Sequence, residues 1–222
     1  MLLESLGISL LIALGAIIIG FVIGVVVAVI RIAPKNNIVI IVLDKIAQLY
    51  ITVIRGTPTM VQLLIMYSSI MVAFKYLDTN IAVPIVSFGI NSGAYMAEII
   101  RSGINSVDIG QIEAGRSVGL SWITTMWKIV IPQAIKVVVP TIFNEIIILV
   151  KETSVVSVIA LRMGGAQKWD LLGLTNKIAI AQPATYNLFL YVAAAMYLII
   201  VLLLTFLQKH IEKRMRKNER HH

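Results

Sequence analysis

Apolar residues run through this chain in long blocks, with the charges gathered between them. A helix needs about 20 residues to cross the hydrocarbon of a bilayer. The first block, about Leu6 to Ala33, meets that length, and Pro34 ends it. It is too long for a signal-peptide core and has no A-x-A pattern, which predicts a retained span. Its Gly20-x-x-x-Gly24 spacing permits close helix approach, though chance alone yields that spacing often. Next comes "NNIVIIVLDKIAQLYITVIRGTP", interrupted by Asp44, Lys45, Gln48 and Arg55, which predicts an amphipathic helix lying at the interface. Pro58 suits a first helical turn and opens a second span to about Phe74. The polar loop "KYLDTN" leads to a third span, about Pro84 to Gly103. A fourth runs from about Gln133 to Ala160. A long connection then carries a short helix around Trp169 to Ile180, and a fifth span runs from about Tyr186 to Leu207.

Composition supports the spans. The 222 residues are 59% hydrophobic and 14% charged, with mean hydropathy +0.92. A soluble domain is about 25% charged. So little charge cannot coat a water-facing globule of this size. The expected fold class is an all-α integral membrane protein, one transmembrane domain over residues 1–222, with His221 and His222 set aside as a tag remnant. The chain has no cysteine, which removes disulfide and thiol chemistry. The net charge is +8, and bases cluster in the tail "KHIEKRMRKNER". Beside an apolar helix such a cluster reads as a cytoplasmic flank rather than a nucleic-acid site. Arg31, Lys35, Lys45 and Arg55 follow span 1, and Arg116, Lys128 and Lys136 follow span 3. The N-terminus has only Glu4, and the loop after span 2 has only Lys75 as a base. The positive-inside rule then places the N-terminus outside and the C-terminus in the cytoplasm.

The loop of about residues 105–132 is the most punctuated part of the chain. It contains "EAGRSVGLSWITTMWKIVIP", Glu113 to Pro132. The pattern predicts a helix from about Gln111 to Val118, a stop at Gly119, a new start capped by Ser121, and a break at Pro132 before span 4. Ala114 and Gly115 would leave one helix face thin enough for a bulky partner. A connector of two to eight residues would suffice between antiparallel helices, so this loop has more to do than connect.

These residues resemble the cytoplasmic signature loop of the membrane subunits of ABC importers. The match is Glu113-Ala114-Gly115, then Gly119, then Ile129-Val130-Ile131-Pro132, with Gly115 and Ile131 in place of the usual Ala and Leu. "RGTPTMVQLLIMY", "NSGAYMAEIIRSGINSVDIGQIEAGRSVGLS" and "KETSVVSVIAL" are similar to the polar amino acid permeases of that family. The resemblance implies a type I importer permease in a bacterial cell membrane. It implies a separate ATPase dimer that holds ATP and magnesium and docks on Glu113, Ala114, Gly115, Gly119 and Pro132. It also implies a second permease, identical or paired, and an external amino-acid-binding protein. No G-x-x-x-x-G-K-[ST] phosphate loop occurs in the chain, so it is expected to hydrolyse no ATP by that device and to need no cofactor of its own.

Polar residues within the spans are costly and commonly face a pathway. Asn91, Tyr95, Glu98 and Ser102 fall on one stripe of span 3. Glu98 lies roughly 21 Å from Pro84 at 1.5 Å per residue, with Arg101 close enough to neutralise it. Span 4 carries Asn144, Glu145, Lys151 and Glu152. An amino-acid zwitterion needs acceptors for its ammonium and donors for its carboxylate, which asparagine, tyrosine and glutamate supply. Two glutamates at membrane depth favour a basic cargo over glutamine, unless Arg101 and Lys151 already neutralise them. Arg55-Gly56-Thr57-Pro58 has a plainer explanation as a turn between helices. A self-sufficient secondary transporter or channel would show repeated halves, which are absent. A membrane enzyme would need a reactive cluster, and the only internal histidine is His210.

Overall fold

A computed structural model describes residues 1–73, 81–159, 161–163 and 166–217, with the backbone alone at 71–73, 162, 216 and 217. In chain order the elements are α1 (Leu2–Ile32), α2 (Ile38–Gly56), α3 (Thr59–Ala73), α4 (Ala82–Asn105), α5 (Ile109–Ser117) and α6 (Trp122–Thr125). A π-turn (Met126–Val130) leads into α7 (Ile131–Glu152) and a 3₁₀ segment (Thr153–Val158). A hairpin of β1 (Leu161–Met163) and β2 (Ala166–Lys168) precedes α8 (Leu171–Ala181) and α9 (Tyr186–Lys217). That short hairpin is the one departure from helix among the described elements of an otherwise all-helical fold. The stretches Leu2–Ile32, Ala82–Asn105, Trp122–Val158 and Pro183–Met215 are long and apolar enough to cross a membrane. The predicted loop Lys75 to Asn80 and the tail end with His221 and His222 lie outside the described residues.

Contacts give the helix directions. Gly15 of α1 meets Ile85 of α4, and Gly24 meets Met96, so α1 and α4 run parallel. Gly103 of α4 meets Val138 of α7 while Ser92 meets Glu145, so α7 runs the opposite way. Tyr197 of α9 lies beside Ser9 and Thr153, and Gln208 reaches Asn144, so α9 runs with α1. The two termini of the bundle therefore stand at opposite ends, and the elbow of α5 and α6 shares the end of the basic C-terminal tail.

The seam between α1 and α4 holds the fold together. A Cβ on Gly20 would lie 3.0 Å from the Ser92 Cβ, and one on Gly24 would lie 2.6 Å from the Met96 Cβ. Gly20-x-x-x-Gly24 is thus a working contact. Lipid tails are as apolar as leucine, so close van der Waals packing of this kind drives helix association in a membrane. At the N-terminal end of the bundle, Ile8 and Ile12 pack with Leu63, Phe88, Leu149 and Val156, joining five elements. Leu198, Ile199, Leu202, Leu203 and Phe206 of α9 stay exposed, as lipid-facing residues would.

Two sequence expectations need correcting here. The segment read as an interfacial helix is α2, and it packs against α4. Of its polar residues, Asp44 and Tyr50 are matched within the bundle, whereas Lys45, Gln48 and Arg55 stay exposed. Asp44 pairs with Arg31 at 2.7 Å and Lys35 at 3.0 Å, and the Tyr50 hydroxyl donates to the Ile90 carbonyl at 2.5 Å. With α3 it runs antiparallel to α1, interrupted at Thr57 and Pro58. The second correction concerns Pro132, which does not break the chain. It sits in the first turn of α7, directly after the π-turn, in which the Ile131 N–H donates to the Met126 carbonyl five residues back. Proline lacks an N–H and crowds the carbonyl four residues back, and the wider turn accommodates both.

Candidate functional site

The side chains expected to line a pathway meet along one face of α4. At its middle, the Asn91 amide donates to Gln62 Oε1 on α3 at 2.9 Å. Gln62 in turn spans the α2–α3 break, with its amide nitrogen 2.7 Å from the Ile54 carbonyl and 3.1 Å from the Thr57 carbonyl. These are carbonyls that a helix end would otherwise leave without a donor. One residue on, the Ser92 hydroxyl donates to Glu145 Oε1 on α7 at 3.2 Å. Glu145 is buried, and no cation bonds to it among the described residues. A turn further, the Arg55 guanidinium carbon lies 5.1 Å from the centroid of the Tyr95 ring. Glu98 is held by Arg101 in a two-pronged pair, one bond being Nε to Oε2 at 3.0 Å.

Other candidates lie apart. Asn144 turns towards α9, where its Oδ1 accepts from Gln208 at 3.1 Å. Lys151 is exposed and Glu152 half-buried near the end of α7, and no ion pair joins them among the described residues. Sequence reasoning missed Gln62 and Ser92 because neither is charged. Ser92 stands one position from the predicted Asn91, whereas Gln62 lies on α3, where no site residue was predicted.

Beyond the Glu98–Arg101 pair, a cavity of about 360 Å³ opens between the C-terminal ends of α1 and α4 and the elbow. Arg31, Lys35, Arg101, Ile112, Trp122 and Met126 contribute to its wall. The elbow itself is tightly built. Asp108 caps α5 by accepting the Gly110 N–H at 2.7 Å. At the other end Gly119 takes φ +85, the Leu120 N–H donates to the Gly115 carbonyl at 3.2 Å, and the Gly119 N–H donates to the Arg116 carbonyl at 3.1 Å. Those two bonds form a Schellman stop, which needs a left-handed residue where glycine alone is unstrained. Ser121 caps α6 by accepting the Thr124 N–H at 3.2 Å.

The two small residues of the loop part company. Ala114 is exposed, as are Glu113 and Gly119. Gly115 is buried, and a Cβ there would lie 2.9 Å from Ile129 Cδ1 and 3.0 Å from Thr125 Cγ2. The thin face expected for a partner is therefore Ala114 alone, and Gly115 lets α5 seat on the π-turn. Pro132 lies inside the span rather than on the elbow.

Known proteins share this fold. Residues 20–217 match the family described as "Binding-protein-dependent transport system inner membrane component". The chain is 35% identical over 219 residues to the arginine transport system permease protein ArtQ of Bacillus subtilis, covering 98% of this chain and 93% of that one. It is 36% identical over 202 residues to a Rickettsia typhi protein named as the glutamine transport system permease GlnP, covering 90% and 86%. Among solved structures, an amino acid ABC transporter crystallised with histidines matches with TM-score 0.83 and 34% identity over 96% of this chain and 93% of that one. The MetNI methionine transporter shares the fold, with TM-score 0.72 and 18% identity over 96% and 94%. With the elbow, the parallel α1 and α4 and the match over nearly its whole length, the chain belongs to the family of inner membrane components of binding-protein-dependent transport systems.

Proposed function

We propose that this chain is the permease subunit of an ATP-driven importer of basic amino acids. In this reading it crosses the membrane five times, with α2 and α3 together making the second crossing, and its N-terminus lies outside. A second permease completes the pathway, an external receptor delivers the amino acid, and an ATPase dimer docks on the exposed Glu113, Ala114 and Gly119. Asn91, Tyr95, Glu98 and Glu145 line the route, and Asn144, Lys151 and Glu152 stand at its margins.

The observation that carries the choice of cargo is Glu145. It is buried with a neutral hydroxyl as its bonded partner, whereas Glu98 is already matched by Arg101. A carboxylate in low dielectric gains from a cationic cargo that brings its own counter-charge. Relatives named for arginine and for glutamine support an amino acid in general, so glutamine is the second reading. The deciding experiment reconstitutes the complex with its ATPase and receptor, and measures ATP hydrolysis with receptor loaded with arginine or with glutamine. Stimulation by the arginine-loaded receptor is expected, and a response to glutamine alone overturns the basic cargo.

A further inference from the structure

We infer that Arg55 is the receptor for the α-carboxylate of the cargo within the membrane pathway, an inference that rests on the amino-acid permease reading. Arg55 closes α2, directly before the break at Thr57 and Pro58. The cations near it are occupied: Arg31 and Lys35 by Asp44, and Arg101 by Glu98. Arg55 is not. Among the described residues no ion pair or side-chain hydrogen bond involves it, and it is exposed on the surface of the single chain. It interacts electrostatically with both Glu98 and Glu145 without bonding to either.

Its neighbours fix its level. Tyr50, on the same helix, bonds the Ile90 carbonyl, and Gln62 beyond the break bonds Asn91, both at the middle of α4. An arginine held at that level of a spanning helix, with its donors unspent, is costly unless it serves a pathway. Tyr95 supplies the support: the guanidinium carbon lies 5.1 Å from the centroid of its ring, and the N–H edges have no hydrogen-bond partner among the described residues. Those edges form a planar fork that matches a carboxylate in a two-pronged bond. Every amino acid presents that carboxylate, so Arg55 acts on cargo whatever its side chain. Glu145 and the Asn91 region remain for the ammonium and a cationic side chain.

The test measures equilibrium binding of radiolabelled L-arginine, L-glutamine and L-argininamide to the purified permease–ATPase complex. Argininamide keeps the side chain and the ammonium but has no carboxylate. Wild type should bind it at least roughly tenfold more weakly than arginine, the scale of one charge-assisted bond. Arg55→Gln should weaken arginine and glutamine alike, by roughly ten- to a hundredfold, and leave argininamide unchanged. Arg55→Lys keeps the charge and loses the fork, and should fall between. If Arg55→Gln fails to assemble, Arg55→Lys gives the same comparison. Unchanged binding of the two acids, or an equal loss for arginine and argininamide, overturns the inference. So does wild type that binds acid and amide equally, or binds neither, while responding to loaded receptor. Wild type that responds to no amino-acid-loaded receptor defeats the permease reading instead.

Discussion

Ser92 and Glu145 join α4 to α7 through a single bond, with the serine hydroxyl 3.2 Å from Glu145 Oε1. The glutamate is buried and its bonded partner is neutral, which sets it apart from Glu98 a little further along α4. Glu98 has Arg101 one turn away on its own helix, so its charge is matched before any cargo arrives. Two acidic residues that look alike in the sequence thus have different work available to them.

Their glutamine variants should separate accordingly. Glu145→Gln keeps an acceptor for Ser92 and removes the unmatched charge. Assembly should survive, while stimulation of ATP hydrolysis by arginine-loaded receptor should fall roughly tenfold relative to glutamine, the scale of one charged hydrogen bond. Glu98→Gln instead leaves Arg101 without its counter-charge. That should lower thermal stability in detergent by about 1–3 kcal/mol and leave the arginine-to-glutamine ratio where it was. Reversed phenotypes would exchange the two roles.

Gly24 tests the packing seam. Leucine at this position would drive its Cβ to 2.6 Å from the Met96 Cβ and 3.1 Å from the Ala97 nitrogen. The second obstacle is backbone, so the helices must separate. Gly24→Leu should cost about 1–3 kcal/mol or prevent folding, with overpacking of this kind as the cause. Gly7, whose Cβ would meet nothing within 4 Å, is the control. Gly7→Ala should not lower the melting temperature in detergent, since alanine is the better helix former, and an equal loss at both positions would rule out contact with α4 as the cause.

Much of this architecture is legible in the sequence, and the failures have a common cause. Long apolar blocks, the cap at Ser121 and the stop at Gly119 depend on neighbours along the chain, and each appears where expected. The role of α2 depends on partners far away. Asp44 interrupts an apolar run in the sequence, and its pairing with Arg31 and Lys35 appears only in the fold, as does the bond of Tyr50 to the Ile90 carbonyl. Pro132 reads as a breaker because a π-turn carries no sequence mark. Of the pathway candidates, the stripe of Asn91, Tyr95 and Glu98 follows from helical spacing. The turning of Asn144 towards Gln208 follows only from the placement of α9.

Asp170 should make stability depend on pH. It caps α8, accepting the Leu172 N–H at 3.1 Å, and is 1% exposed. Burial pushes its pKa up to about 6, against about 3.9 in an unfolded chain. Between those values the folded protein keeps a proton that the unfolded chain has lost, so stability falls as pH rises through that window. The whole penalty, about 3 kcal/mol, is present above it. Asp170→Asn keeps the cap and removes the charge. It should melt higher than wild type at pH 7.5 and the difference should vanish near pH 4, as read by thermal unfolding in detergent. A difference independent of pH would mean that Asp170 does not titrate in this range.

Single cysteines in this cysteine-free chain report its orientation. Leu3 is 79% exposed and Ser121 is exposed, whereas Ser5 is buried. Leu3→Cys should react with an impermeant thiol reagent from outside intact cells, and Ser121→Cys only after the membrane is opened. Labelling of both from outside would reverse the assignment of the elbow to the cytoplasm.

The elbow offers the sharpest contrast, because Ala114 and Gly115 are adjacent and face opposite ways. Ala114 is exposed on α5, between the equally exposed Glu113 and the inward Gly115. A tryptophan there adds bulk to an outer face and disturbs nothing inside the chain. Ala114→Trp should therefore leave the melting temperature of the isolated permease unchanged and abolish both co-purification of the ATPase and ATP-driven uptake. Gly115→Val should do the reverse. Its Cβ would enter the space of Ile129 Cδ1 at 2.9 Å and Thr125 at 3.0 Å, so α5 must lift off the π-turn. The permease should lose about 1–3 kcal/mol of stability by overpacking, and on the proposed docking uptake should fall because α5 is no longer seated on the π-turn. Measuring stability, ATPase retention and uptake on both variants distinguishes a docking face from a structural contact. If Ala114→Trp retains the ATPase and transports normally, the motor docks elsewhere. If it melts as low as Gly115→Val, Ala114 belongs to the interior of the elbow and its exposed face has another use.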